Sequence, residues 1–316
     1  MKKIAFLFLV LENPNFPKIW DKYFKGNENK YNIYIHPKYP DKTTWHKECV
    51  INNLVETAWG FITRAYFELL KAALKDKDNV KFVTISESCV PIKSFSKFYK
   101  DVMADSRSWI KTMPIHKYNM IERINKHIVK LKTNKTIYIP TDIRKHYARF
   151  CLNRDHAEYL IKNKNKLEFF HKMHVGDEYF LSTLEDKNIR DFAVTYDDWE
   201  YTEKLKANIK KNKKALYEKM ETYDAYHNRT IKLVDDIRKK NLLIRKSKKF
   251  HETMKEQLRL LDEKYSKIAG NPKTINKVSQ NDYKTMQTTD SYFYRKFAKN
   301  SNVTKYIDGI VYSASP

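Results

Sequence analysis

Glycine and cysteine are both scarce in this chain of 316 residues, which contains 5 glycines and 3 cysteines. So little glycine excludes a fibrous or low-complexity repeat, and no self-similarity of fixed period is found. The cysteines, Cys49, Cys89 and Cys151, are too few and too scattered for a disulfide framework or a zinc site. We therefore expect a globular protein of a reducing compartment, with a cytoplasmic location.

Long apolar runs are missing as well. No stretch approaches the roughly 20 apolar residues of a membrane-spanning helix, which predicts a soluble protein without a transmembrane segment. The opening Met1-Lys2-Lys3 followed by Ile4 to Leu11 is similar to a signal peptide. However, the apolar run is short, lacks a small-residue cleavage site and leads directly into Glu12. A buried first strand explains it better.

Positive charge is abundant, with 62 Lys and Arg against 38 Asp and Glu and a formal net charge of +24. Such an excess predicts attraction to polyanions, from nucleic acid to nucleotide phosphates and acidic glycans. The preference for Lys over Arg and the abundance of Asn are equally expected of an AT-rich genome. Since no nucleic-acid-binding motif accompanies the charge, we predict no specific nucleic-acid partner.

The first half alternates short apolar runs with a helical pattern, which is typical of βαβ units around a mainly parallel sheet. The predicted strands cover Ile4–Val10, Tyr31–His36 and Lys81–Ser86, and a crossover helix is predicted within Trp59–Leu74. Polar residues follow the second and third strands, where open α/β sheets bind ligands. We expect the ligand crevice at this edge.

Further elements follow from the same patterns. A helix is predicted over Phe95–Ala104 and a strand over Trp109–Met113, whereas Asn119–Leu131 is predicted to be an irregular or partly helical basic excursion. A strand over Phe150–Asn153 should precede a helix capped by Asp155. Asp177–Leu184 is predicted to be helical, with Asp177 and Glu178 in its first turn, where the macrodipole keeps carboxylates ionised.

Between Glu203 and Ala269 the chain becomes strongly charged and helical, until Gly270 and Pro272 end the pattern. An apolar stripe with helical spacing is expected to pack this helix on the main body, and its members are Phe250, Met254, Leu258, Leu261, Tyr265 and Ile268. We predict one domain over 1–316, with a helical insertion at about 203–270 and a return segment at 290–316 that completes the ligand site.

Six short motifs occur in a recognisable order. They are Tyr34-Ile35-His36, Trp59-Gly60, Ser86-Glu87-Ser88-Cys89-Val90-Pro91-Ile92, Asp177-Glu178-Tyr179, Asp198-Trp199 and Arg295-Lys296-Phe297. Together they resemble the Core-2/I-branching N-acetylglucosaminyltransferase family, and most closely its plant-type and microbial branch. This resemblance implies a GT-A type, Rossmann-like fold and transfer of a sugar from UDP, with inversion and without an essential divalent metal. Where metal-dependent relatives of that fold carry Asp-x-Asp, this chain has Ser86-Glu87-Ser88.

The resemblance also implies residue roles. Glu178 would be the catalytic base that takes the proton of the acceptor hydroxyl, and Asp177 would orient the acceptor side of the site. Lys296, with Arg295 as a second candidate, would hold the departing diphosphate. Val10 and His36 are predicted to meet the uracil and ribose. Trp199 and Tyr201 would seat the acceptor sugar.

The donor is expected to be UDP-N-acetylglucosamine, with UDP-xylose, UDP-glucose and UDP-glucuronate as open alternatives, and the acceptor is expected to be a glycan hydroxyl. One segment departs from the plant-type pattern Arg-Lys-Gly-Ser-Gln-Trp-Phe, because residues 144–150 read Arg-Lys-His-Tyr-Ala-Arg-Phe. This change leaves acceptor identity open. The lack of secretory disulfides fits a large DNA virus or a low-GC microbe better than a Golgi enzyme.

Two other functions remain open. His171, His174, Asp177 and Glu178 lie close enough in sequence to suggest the metal site of a hydrolase. Alternatively, the basic surface and helical region could belong to a non-catalytic protein that binds nucleic acid or another polyanion.

Overall fold

The computed structural model describes residues 1–113, 143–184, 188–268 and 271–312. The predicted basic excursion at Asn119–Leu131 therefore lies outside the described residues. Two compact units divide the chain, namely a main unit of residues 1–196 and 275 onward, and a helical unit of residues 197–274.

The main unit is built on three parallel strands. Strand β1 (Lys3–Val10) lies between β2 (Tyr31–Pro37) and β3 (Asn79–Ser86) and pairs with both. Alternate side chains of β1 enter two apolar clusters, one with helix α1 (Pro17–Phe24) and one with helix α2 (Thr63–Ala73). Burial on both faces explains why β1 is continuously apolar.

Three short strands extend this sheet. Its order is β2-β1-β3-β8-β5-β9 among the described residues, with β5 at Ser108–Trp109, β8 at Cys151–Asn153 and β9 at Ile189–Arg190. Strand β8 is antiparallel to both neighbours, and the other pairings are parallel. The prediction of a mixed, mainly parallel sheet flanked by helices is confirmed, and the arrangement is consistent with the GT-A type.

Smaller elements complete the main unit. Their bounds are β4 Val90–Pro91, α3 Phe95–Ala104, β6 Thr112–Met113, β7 Lys145–His146, α4 Arg154–Lys162, α5 Lys164–His171, β10 Thr195–Asp197, α8 Gln280–Thr288, β11 Phe293–Arg295 and α9 Thr304–Val311. Strands β10, β11 and β4 form a second sheet in that order, and β6 pairs with β7.

Two local predictions were wrong. The helix predicted over Asp177–Leu184 is two short 3₁₀ turns, because Tyr179 between them has φ −135° and leaves the helical region. Burial of the apolar side chains that follow outweighs helix propensity here. Helix α4 is capped by Asn153, whose side chain accepts the His156 N–H at 2.9 Å, and not by Asp155, which lies inside the first turn.

The helical unit consists of α6 (Trp199–Lys232) and α7 (Ile237–Ile268), which pack on each other. The predicted apolar stripe lies on α7, where Phe250 stacks on Tyr223 of α6 with ring centroids 3.9 Å apart and Met254 is buried. The stripe therefore packs on a helix of its own unit. None of the described helices has both the length and the apolar character needed to cross a bilayer.

Candidate active site

The acidic pair lies on a tightly packed loop. Val175 adopts φ 54°, and its N–H donates to the Gly60 carbonyl at 2.6 Å. A Cβ at Gly176 would lie 2.1 Å from the Phe170 carbonyl oxygen, so only glycine fits at this close approach. The Glu178 N–H then donates to the Val175 carbonyl at 3.0 Å. The loop is thus fixed to the end of α5 on one side and to the turn before α2 on the other.

Glu178 presents a partly exposed carboxylate. Its Oε2 forms an ion pair with Lys145 Nζ at 2.9 Å, and the two side chains are 24% and 15% exposed. The neighbouring His146 fixes the strand that carries Lys145, because its Nε2 accepts the Leu181 N–H at 3.1 Å. Burial lowers the pKa of His146 to about 4, which keeps that nitrogen an acceptor. The carboxylate is therefore both oriented and accessible.

Asp177 occupies a different environment from Glu178. It is only 5% exposed, and its Oδ1 has no hydrogen-bond partner among the described residues. Burial and the nearby charge of Glu178, opposed by Arg149, together raise the pKa of Asp177 to about 7. The expectation that both carboxylates stay firmly ionised was therefore wrong for Asp177, which titrates near neutral pH.

A buried arginine and tyrosine lie beside this acid. Arg149 Nη1 donates to the Tyr66 hydroxyl at 2.6 Å and to the Ala148 carbonyl at 3.0 Å. Burial is the main cause that raises the pKa of Tyr66 to about 12, with Asp177 raising it as well and Arg149 and Arg295 acting in the opposite direction. Tyr66 is thus within electrostatic reach of the acidic loop and of the predicted diphosphate ligand. In the sequence, this cluster is signalled only by an arginine directly before Phe150, the first residue of a predicted strand.

The predicted cationic pair runs along the carboxyl edge of the sheet. Arg295 ends β11, and both it and Lys296 are of intermediate burial. The next residue, Phe297, donates its N–H to the Ser88 carbonyl at 3.1 Å, while its own carbonyl accepts from Asn15 Nδ2 at 3.0 Å. These bonds hold the pair next to the Ser86-Glu87-Ser88 segment, although the two segments lie far apart in sequence.

Val10 and His36 end the first two strands, as predicted for contacts to a nucleoside. His36 is fully buried, and its Nε2 accepts the Val55 N–H at 3.0 Å. Burial lowers the pKa of His36, so the ring is neutral and Nδ1 carries the proton. That Nδ1 has no partner among the described residues. Val10 is also buried, and its carbonyl accepts the Lys38 N–H at 2.9 Å.

The predicted acceptor aromatics lie in the helical unit. Asp198 caps α6 by accepting the Tyr201 N–H at 3.1 Å, and Trp199 is the first residue of the helix. The Tyr201 ring is about half exposed, with Lys273 Nζ 5.2 Å from its centroid. An exposed aromatic ring beside a cation is the kind of surface on which an apolar sugar face can stack.

The histidines proposed for a metal site do not assemble one. His171 Nδ1 lies 3.5 Å from Glu168, and His174 packs beside Trp59 and Phe61 with ring centroids 5.1 and 5.5 Å away. In the described part of the chain, the only three His, Cys, Asp or Glu side chains close enough to share an ion are His46, Glu48 and Cys49. The described structure therefore gives the hydrolase alternative no ligand set.

Comparisons with known proteins identify the family of this chain. The family model "Branch: Core-2/I-Branching enzyme" matches residues 4–237. Over 181 residues the chain is 28% identical to glycosyltransferase BC10 of Oryza sativa subsp. japonica, covering 54% of this chain and 43% of the rice protein. It thus spans less than half the length of that relative.

The crystal structure of A197 from STIV shares 12% identity and a TM-score of 0.26, covering 54% of this chain and 78% of that chain. Likeness at that level carries no argument. The family match runs from the first strand into the helical unit and covers well over half of the chain. This protein therefore belongs to the Core-2/I-branching enzyme family.

Proposed function

We propose that this protein is an inverting glycosyltransferase that moves a sugar, most simply N-acetylglucosamine, from a UDP-sugar to a glycan hydroxyl without an essential divalent metal. The observation that carries the proposal is the Glu178 carboxylate, which is partly exposed and held by Lys145 on a rigid loop. Family membership supports the reaction class. UDP-xylose, UDP-glucose and UDP-glucuronate are alternative donors.

In the proposed reaction, the acceptor oxygen attacks the anomeric carbon on the face opposite UDP. A new carbon–oxygen bond forms while the bond from that carbon to the diphosphate oxygen breaks, and the hydroxyl proton passes to Glu178. Lys145 keeps the carboxylate in one orientation before the acceptor arrives. Orientation of this kind lowers the entropic part of the barrier.

The leaving diphosphate would be stabilised by Arg295 and Lys296. The Lys296 carbonyl accepts the Ile275 N–H at 2.8 Å, and the next residue, Phe297, bonds to Ser88 and Asn15, so the backbone that carries the positive charge is fixed along the strand edge. At the place of the Asp-x-Asp motif, the single carboxylate of Glu87 already accepts the Leu11 N–H at 2.7 Å. One acid held by the backbone is a poor diphosphate metal site, which supports charge stabilisation by side chains.

The test measures UDP release and product formation from a panel of UDP-sugars in EDTA. One donor should be turned over by the wild type, and Glu178→Gln should lower kcat by about 10²–10⁴-fold, since it removes the general base. Glu158→Gln is the matched control, because Glu158 is an exposed glutamate paired with Arg154 on α4. It should retain full activity.

Three outcomes would contradict the proposal. Full activity of Glu178→Gln would remove the base from the mechanism. Loss of turnover in EDTA with rescue by zinc or manganese would favour a metal-assisted reaction. Absence of any UDP release together with salt-sensitive DNA binding would favour the polyanion-binding alternative.

A further inference from the structure

The end of the helical unit opposite its first and last residues is unusually rich in exposed aliphatic side chains. We define the hairpin tip as residues 233–249, which comprise the turn between α6 and α7 and the first part of α7. Of the six exposed leucines and isoleucines in the described chain, four lie here, namely Leu233, Ile237, Leu242 and Ile244. Leu233 and Ile237 are 83% and 74% exposed. Exposed aliphatic residues are normal when scattered, but such clustering marks an interaction surface.

The same segment is strongly basic. Seven of its seventeen residues are Lys or Arg, and all seven are exposed, namely Arg238, Lys239, Lys240, Arg245, Lys246, Lys248 and Lys249. Of its two acids, Asp236 caps α7 by accepting the Arg238 and Lys239 N–H groups at 2.8 and 3.2 Å. Its negative charge is therefore used at the helix terminus.

Carboxylates of the helical unit do not neutralise these cations. None of the seven forms an ion pair with any residue that the structure describes. The carboxylates farther along the same two helices pair with other lysines, as Glu200 does with Lys204 at 2.6 Å and Asp262 with Lys213 at 2.6 Å. The tip thus concentrates positive charge that the helical unit itself does not neutralise.

We propose that the hairpin tip binds the surface of an anionic lipid bilayer. Clustered Lys and Arg are attracted to the negative surface potential of such a membrane over about one Debye length. Aliphatic side chains between them enter the boundary of headgroups and acyl chains, which fixes the helix in the interface. Nucleic acid would satisfy the cations equally well, but it offers exposed leucines and isoleucines no apolar partner. The aliphatic cluster therefore favours lipid.

The experiment is co-sedimentation of the full chain with vesicles. Phosphatidylcholine vesicles are compared with vesicles that contain roughly one third phosphatidylserine, at about 0.1 M salt. The protein should sediment with the anionic vesicles and not with the neutral ones. Equal binding to both would overturn the proposal.

A charge-matched pair of variants locates the surface. Lys239→Glu with Lys240→Glu should weaken binding at least about tenfold. Lys210→Glu with Lys211→Glu changes the net charge by the same amount at exposed positions of α6 outside the tip, and should leave binding within about twofold of the wild type. If both pairs weaken binding equally, the overall charge of +24 and not the tip is responsible, and the proposal fails.

Substitution of two apolar residues distinguishes lipid binding from nucleic-acid binding. Leu242→Ser with Ile244→Ser should weaken vesicle binding several-fold, whereas Leu260→Ser, at a half-exposed leucine of α7 outside the tip, should not. Unchanged vesicle binding by the double serine variant would overturn insertion. Duplex DNA binding that responds to the lysine pair while vesicle binding does not would assign the tip to nucleic acid. Sugar transfer measured on soluble substrates tests the catalytic proposal separately.

Discussion

Two adjacent carboxylates of the candidate site have different physical states. Glu178 reaches solvent and pairs with Lys145, whereas Asp177 is buried beside it. The sequence predicted the pair but placed both acids in one helical turn. Sequence spacing alone could not distinguish the environments of the two acids, because Asp177 interacts electrostatically with residues from distant parts of the chain, including Tyr66 and Arg149. Lys145, likewise, could be assigned to Glu178 only from the folded chain.

The state of Asp177 predicts a pH dependence of stability. In the unfolded chain an aspartate loses its proton near pH 3.9, whereas in the fold Asp177 keeps it up to a pKa of about 7. Its favourable contribution is therefore complete below about pH 4 and is lost as pH rises toward 7. We expect wild-type stability to fall, relative to Asp177→Asn, by on the order of 3 kcal/mol across this window.

Urea unfolding of both proteins at several pH values between 4 and 7 measures this difference. Glu178→Gln should shift the pH range over which stability falls to lower pH, since it removes a negative charge that raises the pKa of Asp177. Parallel stability curves for the wild type and Asp177→Asn would contradict the burial of this carboxyl group.

At the scale of elements, long patterns predicted structure well. The apolar runs of β1, β2 and β3 and the helical spacing of α2 and α3 lie where the structure has them, within a few residues. Strands of two or three residues, such as β4 and β9, are too short to show a period of two and are set by their neighbours in the sheets. The loop around Gly176 was missed for a related reason, since its conformation depends on contacts with α5 and the turn at Gly60.

Gly176→Ala should strongly destabilise the protein. The added Cβ would lie 2.1 Å from the Phe170 carbonyl oxygen, so either α5 or the loop must move, and we expect a loss of at least about 3 kcal/mol. Gly309→Ala in α9 is the matched control. Its Cβ would meet nothing closer than 3.7 Å, so helix propensity should stabilise the chain by about 0.5–1 kcal/mol.

Denaturant midpoints of the two alanine variants measure this contrast. If Gly176→Ala unfolded at the wild-type midpoint, the loop would not pack on Phe170 as described. The position of Glu178 would then need another explanation.

At the scale of the whole molecule, the two units differ in how they are stabilised. The main unit contains two apolar clusters on either side of β1. The helical unit buries few side chains, and those within its helices are Thr202, Ile209, His227 and Met254. Composition predicted the helices of this unit. It did not predict where the chain leaves the second sheet, because β10 ends at Asp197 and the next residue, Asp198, already caps α6, so no loop marks the boundary.

This difference predicts unequal hydrogen exchange. Backbone amides in the middle of α6 and α7 should exchange at least about a hundredfold faster than those of β1 and β3, since few buried contacts oppose local opening. Hydrogen–deuterium exchange with mass spectrometry on the full chain resolves the two regions. Equal protection in both would show that the helical unit is stabilised by more than its own small core.

The helical unit is inserted at two points that lie beside the same strand. Before the insertion, the Tyr196 ring packs 4.8 Å from that of Tyr294 on β11. After it, Ile275 donates its N–H to the Lys296 carbonyl at 2.8 Å. Since β11 and the residue after it hold both attachment points, the ends of the segment stay in place whatever its length, and each doubling of a flexible connection costs only about 0.6 kcal/mol. The middle of the segment, beyond Trp199 and Tyr201, is therefore the part whose length a lineage can vary while the strands of the main unit keep their pairing.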